Sequence, residues 1–223
     1  MGSTLAQVLP LALGAAVSPV ILLLQVATLG SKRRPVARAL LVLLGCTTVV
    51  VTVVLVVVLG HHRTTATTSA TDRLISGWIK ITLAIVLLGV AVRTTLAPRT
   101  SVDAEPPPDD GDGRVHPVRS VLLGVAAMLT NVTTLVLLIP AVRDAATASI
   151  PTVERIAVLV ITGAIVLVPA YGPLVVVAAL GRRGPATLAA LGAWLHRNQR
   201  TISVAVSLGF ALLLGITGFR AVA

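Results

Sequence analysis

Apolar residues in this chain fall into six long runs: Leu5 to Leu29, Ala37 to Gly60, Leu74 to Leu96, Val118 to Val142, Ile156 to Leu180, and Thr201 to Val222. Each is closed by charged residues, glycine or proline. A helix needs about 20 apolar residues to cross a hydrocarbon core of roughly 30 Å, and every run has about that length. The second run carries Val49-Val50-Val51-Thr52-Val53-Val54, which in water would suit a strand. In lipid a lone strand leaves its backbone groups unsatisfied, and the continuous apolarity lacks the alternation of a membrane barrel. The pattern predicts an all-α membrane protein of six transmembrane helices.

The connection over residues 97–117 differs from the others. It contains Asp103, Glu105, Pro106-Pro107-Pro108 and Asp109-Asp110-Gly111-Asp112-Gly113, a composition too polar and proline-rich to pack, so it reads as a disordered acidic linker. Counted from Asp109, the positions that would ligate calcium in an EF-hand are Gly111 and Gly113, and no closing Glu follows, so that motif is excluded. The linker divides the chain into residues 1–96 and 118–223, with three helices each. Because three is odd, the second half must be inverted relative to the first, and two inverted three-helix repeats are expected.

Composition removes other classes. With 56% hydrophobic and 12% charged residues and a mean hydropathy of +0.98, little is left to build a water-soluble core. The net charge of +10 would suggest nucleic acid in a soluble protein, but here the basic residues sit in short loops between apolar runs. One side gathers Lys32, Arg33, Arg34, Arg38, Arg99, Arg114, Arg119, Arg182, Arg183, Arg197 and Arg200, and the other only Arg63, Arg73, Arg143, Arg155 and Arg220. This positive-inside bias predicts a bacterial inner-membrane protein with both termini outside. Lys32, Arg33, Arg34, Arg182, Arg183 and Arg197 then face the anionic head groups of the inner leaflet. From Pro185 to Arg200, apolar Leu188, Leu191 and Leu195 with Trp194 face His196, Arg197 and Arg200, the pattern of an amphipathic segment on that surface. Cys46 is the sole cysteine, so no internal disulfide or thiolate cluster forms. The first run follows no basic stretch and is expected to be a retained helix.

Polar interruptions mark candidate chemistry. Helix 1 breaks at Ser18-Pro19, because proline removes a backbone donor and disfavours helical geometry in the residue before it; Gln25 adds an amide two turns on. Helix 4 carries Thr130, Asn131, Thr133 and Thr134, then Pro140. Ser18 and Asn131 each lie 13 residues after the start of their run, about 20 Å along a helix, so the breaks are expected at similar depth. Two readings stand at these positions: unwound backbone can present ligand-binding groups, or Asn and Ser can simply join helices. Helix 5 holds Pro169-Ala170-Tyr171-Gly172-Pro173, which predicts a kink beside the single tyrosine. Lys80 is the one cation inside a run; it lines a path or snorkels outward. His61 and His62 have no third ligand nearby, and neither a metal site nor a cofactor is expected. No nucleophile, base and orienter stand together, so no enzyme is expected.

The segments Leu9-Pro10-Leu11-Ala12-Leu13-Gly14-Ala15-Ala16-Val17-Ser18-Pro19, Leu123-Gly124 leading to Asn131, and Leu191-Gly192-Ala193-Trp194-Leu195 with Arg200-Thr201-Ile202 resemble the actinobacterial GAP family. Its members are the peptidoglycolipid or sulfolipid-1 addressing proteins of the lysine exporter superfamily. The resemblance covers nearly the whole chain. It implies six helices and delivery of a glycolipid to the cell surface. Many relatives follow the helix 4 Asn with Pro and Lys, whereas Val132 and Thr133 stand here. The expected function is therefore a membrane transporter or translocation partner for a cell-envelope (glyco)lipid. The alternatives are a small-metabolite, amino-acid or cation exporter, and a non-transporting scaffold. Its expected partners are membrane lipids, the glycolipid or small-molecule substrate, and a second copy or lipid-export machinery; nucleic acid is not among them. The substrate path expected from these residues comprises Ser18, Pro19, Gln25, Lys80, Thr130, Asn131, Thr134, Pro169, Tyr171 and Pro173.

Overall fold

The computed structural model describes residues 2–31, 34–63, 81–82, 84–89, 91–92 and 116–222. All regular structure among them is helical. In chain order the elements are α1 (Gly2–Ala16), α2 (Pro19–Leu29), α3 (Pro35–Arg63), α4 (Pro117–Thr130), α5 (Val132–Thr147), α6 (Thr152–Val166), α7 (Val168–Leu180), a 3-10 turn (Gly181–Arg183) and α8 (Gly184–Val222). The described part of the third apolar run, at residues 81–92, is helical too. The linker, Lys32, Arg33 and Lys80 lie outside the described residues.

One described helix is straight, long and apolar enough to cross a membrane: Pro35–Gly60 of α3, 26 residues or about 39 Å. Four further spans are bent pairs of helices: α1 with α2 at 51°, α4 with α5 at 77°, α6 with α7 at 68°, and the two ends of α8 at 65°. Up to five spans are therefore present by length and composition among the described residues.

Each bend has a local cause. Ser18 precedes proline and takes extended backbone, φ −115° and ψ 98°, so α1 cannot run into α2. Asn131, at φ −82° and ψ 75°, ends α4 and caps α5 without any proline. The 68° bend turns at Leu167, φ −85° and ψ −2°, two residues before Pro169, which occupies the first turn of α7 where its missing N–H costs nothing. Pro10, Pro140 and Pro173 lie inside helices that continue through them. The amphipathic segment from Pro185 and the last apolar run form one continuous helix, α8, bent between Leu195 and Arg200.

The core centres on α5, whose Leu137, Leu138, Ala141, Val142 and Ala145 are fully buried against α1, α3 and α6. By contrast α3 keeps a wide apolar face exposed, including Leu44, Leu55, Val56 and Leu59. Such a face suits lipid, where helix association depends on close packing because burial away from water gives no drive. The closest approach is between α3 and α4. A Cβ on Gly45 would overlap the Val121 carbonyl and stand 2.9 Å from the Val125 nitrogen; one on Gly124 would overlap the Val42 carbonyl. Cys46 lies in this crossing, its Sγ 3.5 Å from the Gly124 carbonyl. Elsewhere Gly14 makes room for the Phe210 ring of α8, while Gly163 meets Val50 in ordinary contact and Gly89 has open space.

Candidate functional site where two helix breaks meet

The break between α1 and α2 touches the break between α4 and α5. A side-chain Nδ2–H of Asn131 donates to Ser18 Oγ, and one turn on, Thr134 Oγ1 donates to the Ala15 carbonyl at 3.0 Å. Ser18 is buried, Thr134 fully so, and Asn131 partly.

Helix ends create the need for these bonds. Terminating α1 frees its last carbonyls, and three of them find donors: Gly14 accepts from Val17 N–H at 3.2 Å, Ala16 from Ser18 N–H at 2.8 Å, and Ala15 from Thr134. The N-terminal amides of α2 and α5 are capped in parallel fashion. Ser18 Oγ accepts from Ile21 N–H at 3.3 Å, and Asn131 Oδ1 from Thr134 N–H at 3.4 Å. Asn131 and Thr134 thus each serve a local helix end and the opposite span. The arrangement is a clasp of four residues, Ala15, Ser18, Asn131 and Thr134, with no ionisable side chain among them.

Donor capacity remains beside the clasp. The amides of Val132 and Thr133, in the first turn of α5, have no carbonyl partner among the described residues, and neither does the Thr133 hydroxyl. They lie at the N-terminus of a 16-residue helix, where aligned peptide dipoles leave partial positive charge.

The other expected path residues are not all gathered here. Pro19 opens α2 beside Ser18. Gln25 is fully buried two turns further on and ties α2 to α3, its Nε2 donating to the Ala39 carbonyl at 3.2 Å. Thr130 is exposed and folds back on its own helix, to the Ala126 carbonyl at 2.8 Å. Pro169 and Pro173 are buried in α7, and Tyr171, partly buried between them, makes no hydrogen bond to the clasp. Arg34, Arg183 and Arg197 are exposed, while the Arg182 side chain, like Lys32, Arg33 and Lys80, lies outside the described residues.

Arg34 holds the left-handed backbone conformation, φ 45°, and its carbonyl starts α3 by accepting from Arg38 N–H. Leu29, Ala39 and Leu188 form a small separate cluster beneath the connections that carry Arg34 and Arg183, so both basic loops lie at one end of the molecule. Sequence reasoning misses the Ala15 carbonyl, although the break itself signals it, since a helix ending at Ala16 leaves that carbonyl without an amide of its own helix.

These features define a helical membrane protein with interrupted helices locked together at their interruptions. A family model described as Sap, sulfolipid-1-addressing protein, matches residues 8–220, and the chain belongs to that family. Comparison with curated proteins and with solved structures finds no match.

Proposed function

We propose that this protein moves a cell-envelope lipid, in the first instance a glycolipid, toward the cell surface, and that the clasp is the point where the path opens. The family supports a lipid cargo, since its description names sulfolipid addressing. The observation that carries the mechanism is the bond between Asn131 and Ser18, which joins two broken spans through their interruptions. Broken helices are the usual places where a transporter presents backbone groups to its substrate, because only there are amides and carbonyls free of the helix ladder.

On this reading the chain spans a bacterial inner membrane six times, as two inverted three-helix repeats with both termini outside. Parting the clasp uncovers the Ala15 carbonyl, the Ser18 hydroxyl and the amides that start α5. No charge need be carried through lipid to do so, because the clasp contains none. The chain binds and moves the lipid without a catalytic step of its own, and the exposed Arg34, Arg183 and Arg197 collect anionic head groups at the entrance.

Vesicles containing the purified chain and a lipid with a fluorescent acyl tail test this, with dithionite quenching reporting the outer leaflet. The wild type should redistribute the lipid between leaflets, and Asn131→Ala and Pro19→Ala should abolish movement while remaining inserted. A chain that moves nothing alone is a scaffold for other export machinery, and one that moves only water-soluble solute is a metabolite exporter. Normal lipid movement in both variants removes the clasp from the path.

A further inference from the structure

The bent spans divide at their bends into two packed groups. α1 packs against α5 and α6, while α2 packs against α7 and the first arm of α8, Ala186–Leu195. α5, the centre of the core, has no contact of similar extent with α2, α7 or α8 among the described residues. The apolar clusters follow the same division. Leu29, Ala39 and Leu188 form the small one, with Val26, Leu174 and Val177 around them, whereas the second arm of α8 places Leu214 and Phe210 in the large one with α1, α5 and α6. Three spans therefore put one half in each group, and each bends in between: at Ser18, at Leu167, and between Leu195 and Arg200.

The smaller group is joined tightly within itself. A Cβ on Gly192 of α8 would stand 3.1 Å from Val26 of α2, and one on Gly184 would stand 2.9 Å from the Cα of Val177 in α7, so the arm of α8 closes directly on both partners. Helices in such contact shift together, because sliding one would open voids against the other two. Towards the rest of the molecule the apolar packing is interrupted. Leu24 belongs to the large cluster and Val26 packs on the small one; between them Gln25 is fully buried, its Nε2 donating to the Ala39 carbonyl of α3 and its Oε1 without a partner among the described residues. A hydrogen bond can be broken and re-formed in place, whereas interlocked methyl groups leave voids when pulled apart. A buried oxygen without a donor also marks an imperfectly matched plane. The first turns of α2 and α7 still reach the large cluster through Ile21, Leu24 and Ala170, which keeps the pivots seated. α3, straight from Pro35 to Gly60, runs past the division and supplies the surface on which the small group rests.

We propose that α7, the first arm of α8 and α2 beyond Leu24 are a hinged lobe that turns as one body against a frame of α1, α3, α4, α5 and α6, with Gln25 and Ala39 as its latch. Ser18 is both a pivot of this lobe and a member of the clasp, so parting Asn131 from Ser18 releases the lobe. α7 has 13 residues and is about 20 Å long, so a turn of about 15° at Leu167 carries its far end about 5 Å. The lobe's role in lipid movement rests on the reading above; the motion itself does not.

Double electron–electron resonance on the full chain in phosphatidylcholine nanodiscs tests this, in a Cys46→Ala background with nitroxides on three pairs of exposed positions. Leu180 with Ile156 spans lobe and frame, Leu180 with Ala190 lies within the lobe, and Leu122 with Ile156 lies within the frame. Asn131→Ala, which parts the clasp, and Gln25→Leu, which removes the latch, should each shift or broaden the first distance by about 5 Å and leave the other two unchanged. An unchanged first distance in both variants overturns the proposal. So does an equal change within the lobe, because α7 and α8 would then move separately, and an equal change within the frame, because the whole fold would then have loosened. If the lobe turns in a chain that carries no lipid between leaflets, the transport reading fails and the hinge stands. If lipid moves while all three distances stay fixed in both variants, the hinge alone fails.

Discussion

Asn131 donates through its side-chain amide to the hydroxyl of Ser18, 113 positions earlier in the chain, and so bonds the break of one span to the break of another. The same side chain caps α5 through Thr134 N–H. Substitutions that separate the two duties should show which of them matters to function. Asn131→Ala loses both, and should lower stability by about 1–2 kcal/mol, combining a lost cap with a lost interhelical bond. Asn131→Ser keeps a good cap but is too short to reach Ser18. It should unfold within about 0.5–1 kcal/mol of wild type in detergent, yet be as inactive as Asn131→Ala in the vesicle assay. Full activity in Asn131→Ser would reduce the contact to packing.

Thr134 offers a second test through one bond. Thr134→Val preserves shape but leaves the buried Ala15 carbonyl without its donor, an expected loss of about 1–3 kcal/mol in thermal unfolding. Thr134→Ser should recover most of it. If serine and valine behave alike, the hydroxyl bond contributes nothing.

The α3–α4 crossing should tolerate no added atom. Gly45→Ala and Gly124→Ala each drive a Cβ into backbone of the other helix, which cannot rotate aside. We expect about 1–3 kcal/mol of destabilisation from each, the usual scale of overpacking, and strong non-additivity when they are combined because one separation of the helices relieves both. Gly172→Ala is the control: a Cβ there meets nothing within 4 Å, and the midpoint should stay or rise.

Gly14 presents a different neighbour. Its added Cβ would collide with the Phe210 ring, a side chain that can be trimmed. Gly14→Ala should therefore be destabilising alone and be largely rescued by Phe210→Leu. Absence of rescue would show that the two do not share that space.

Much of this arrangement is legible in the chain, and the failures have physical causes. Ser18-Pro19 announces its break through the missing donor of proline. Asn131 does so more faintly, as a capping residue amid apolar neighbours, and their equal distance from the starts of their runs anticipates the same depth. Tyr171 looks as promising, framed by two prolines, yet the turn falls at Leu167, because a proline is accommodated in the first turn of the helix that follows it. The last run differs in extent: Arg197 and Arg200 mark a polar boundary, but nothing between Pro185 and Val222 stops a helix, so α8 bends and continues. The pairing of Gly14 with Phe210 is illegible because it depends on which distant helix comes to lie opposite.

That continuity gives α8 the character of a crank. Its first arm carries Trp194, half exposed, and its second carries Phe210, lodged over Gly14 one turn before the α1–α2 break. One helix therefore joins an outward-facing aromatic residue to the ring that covers α1 beside its interruption.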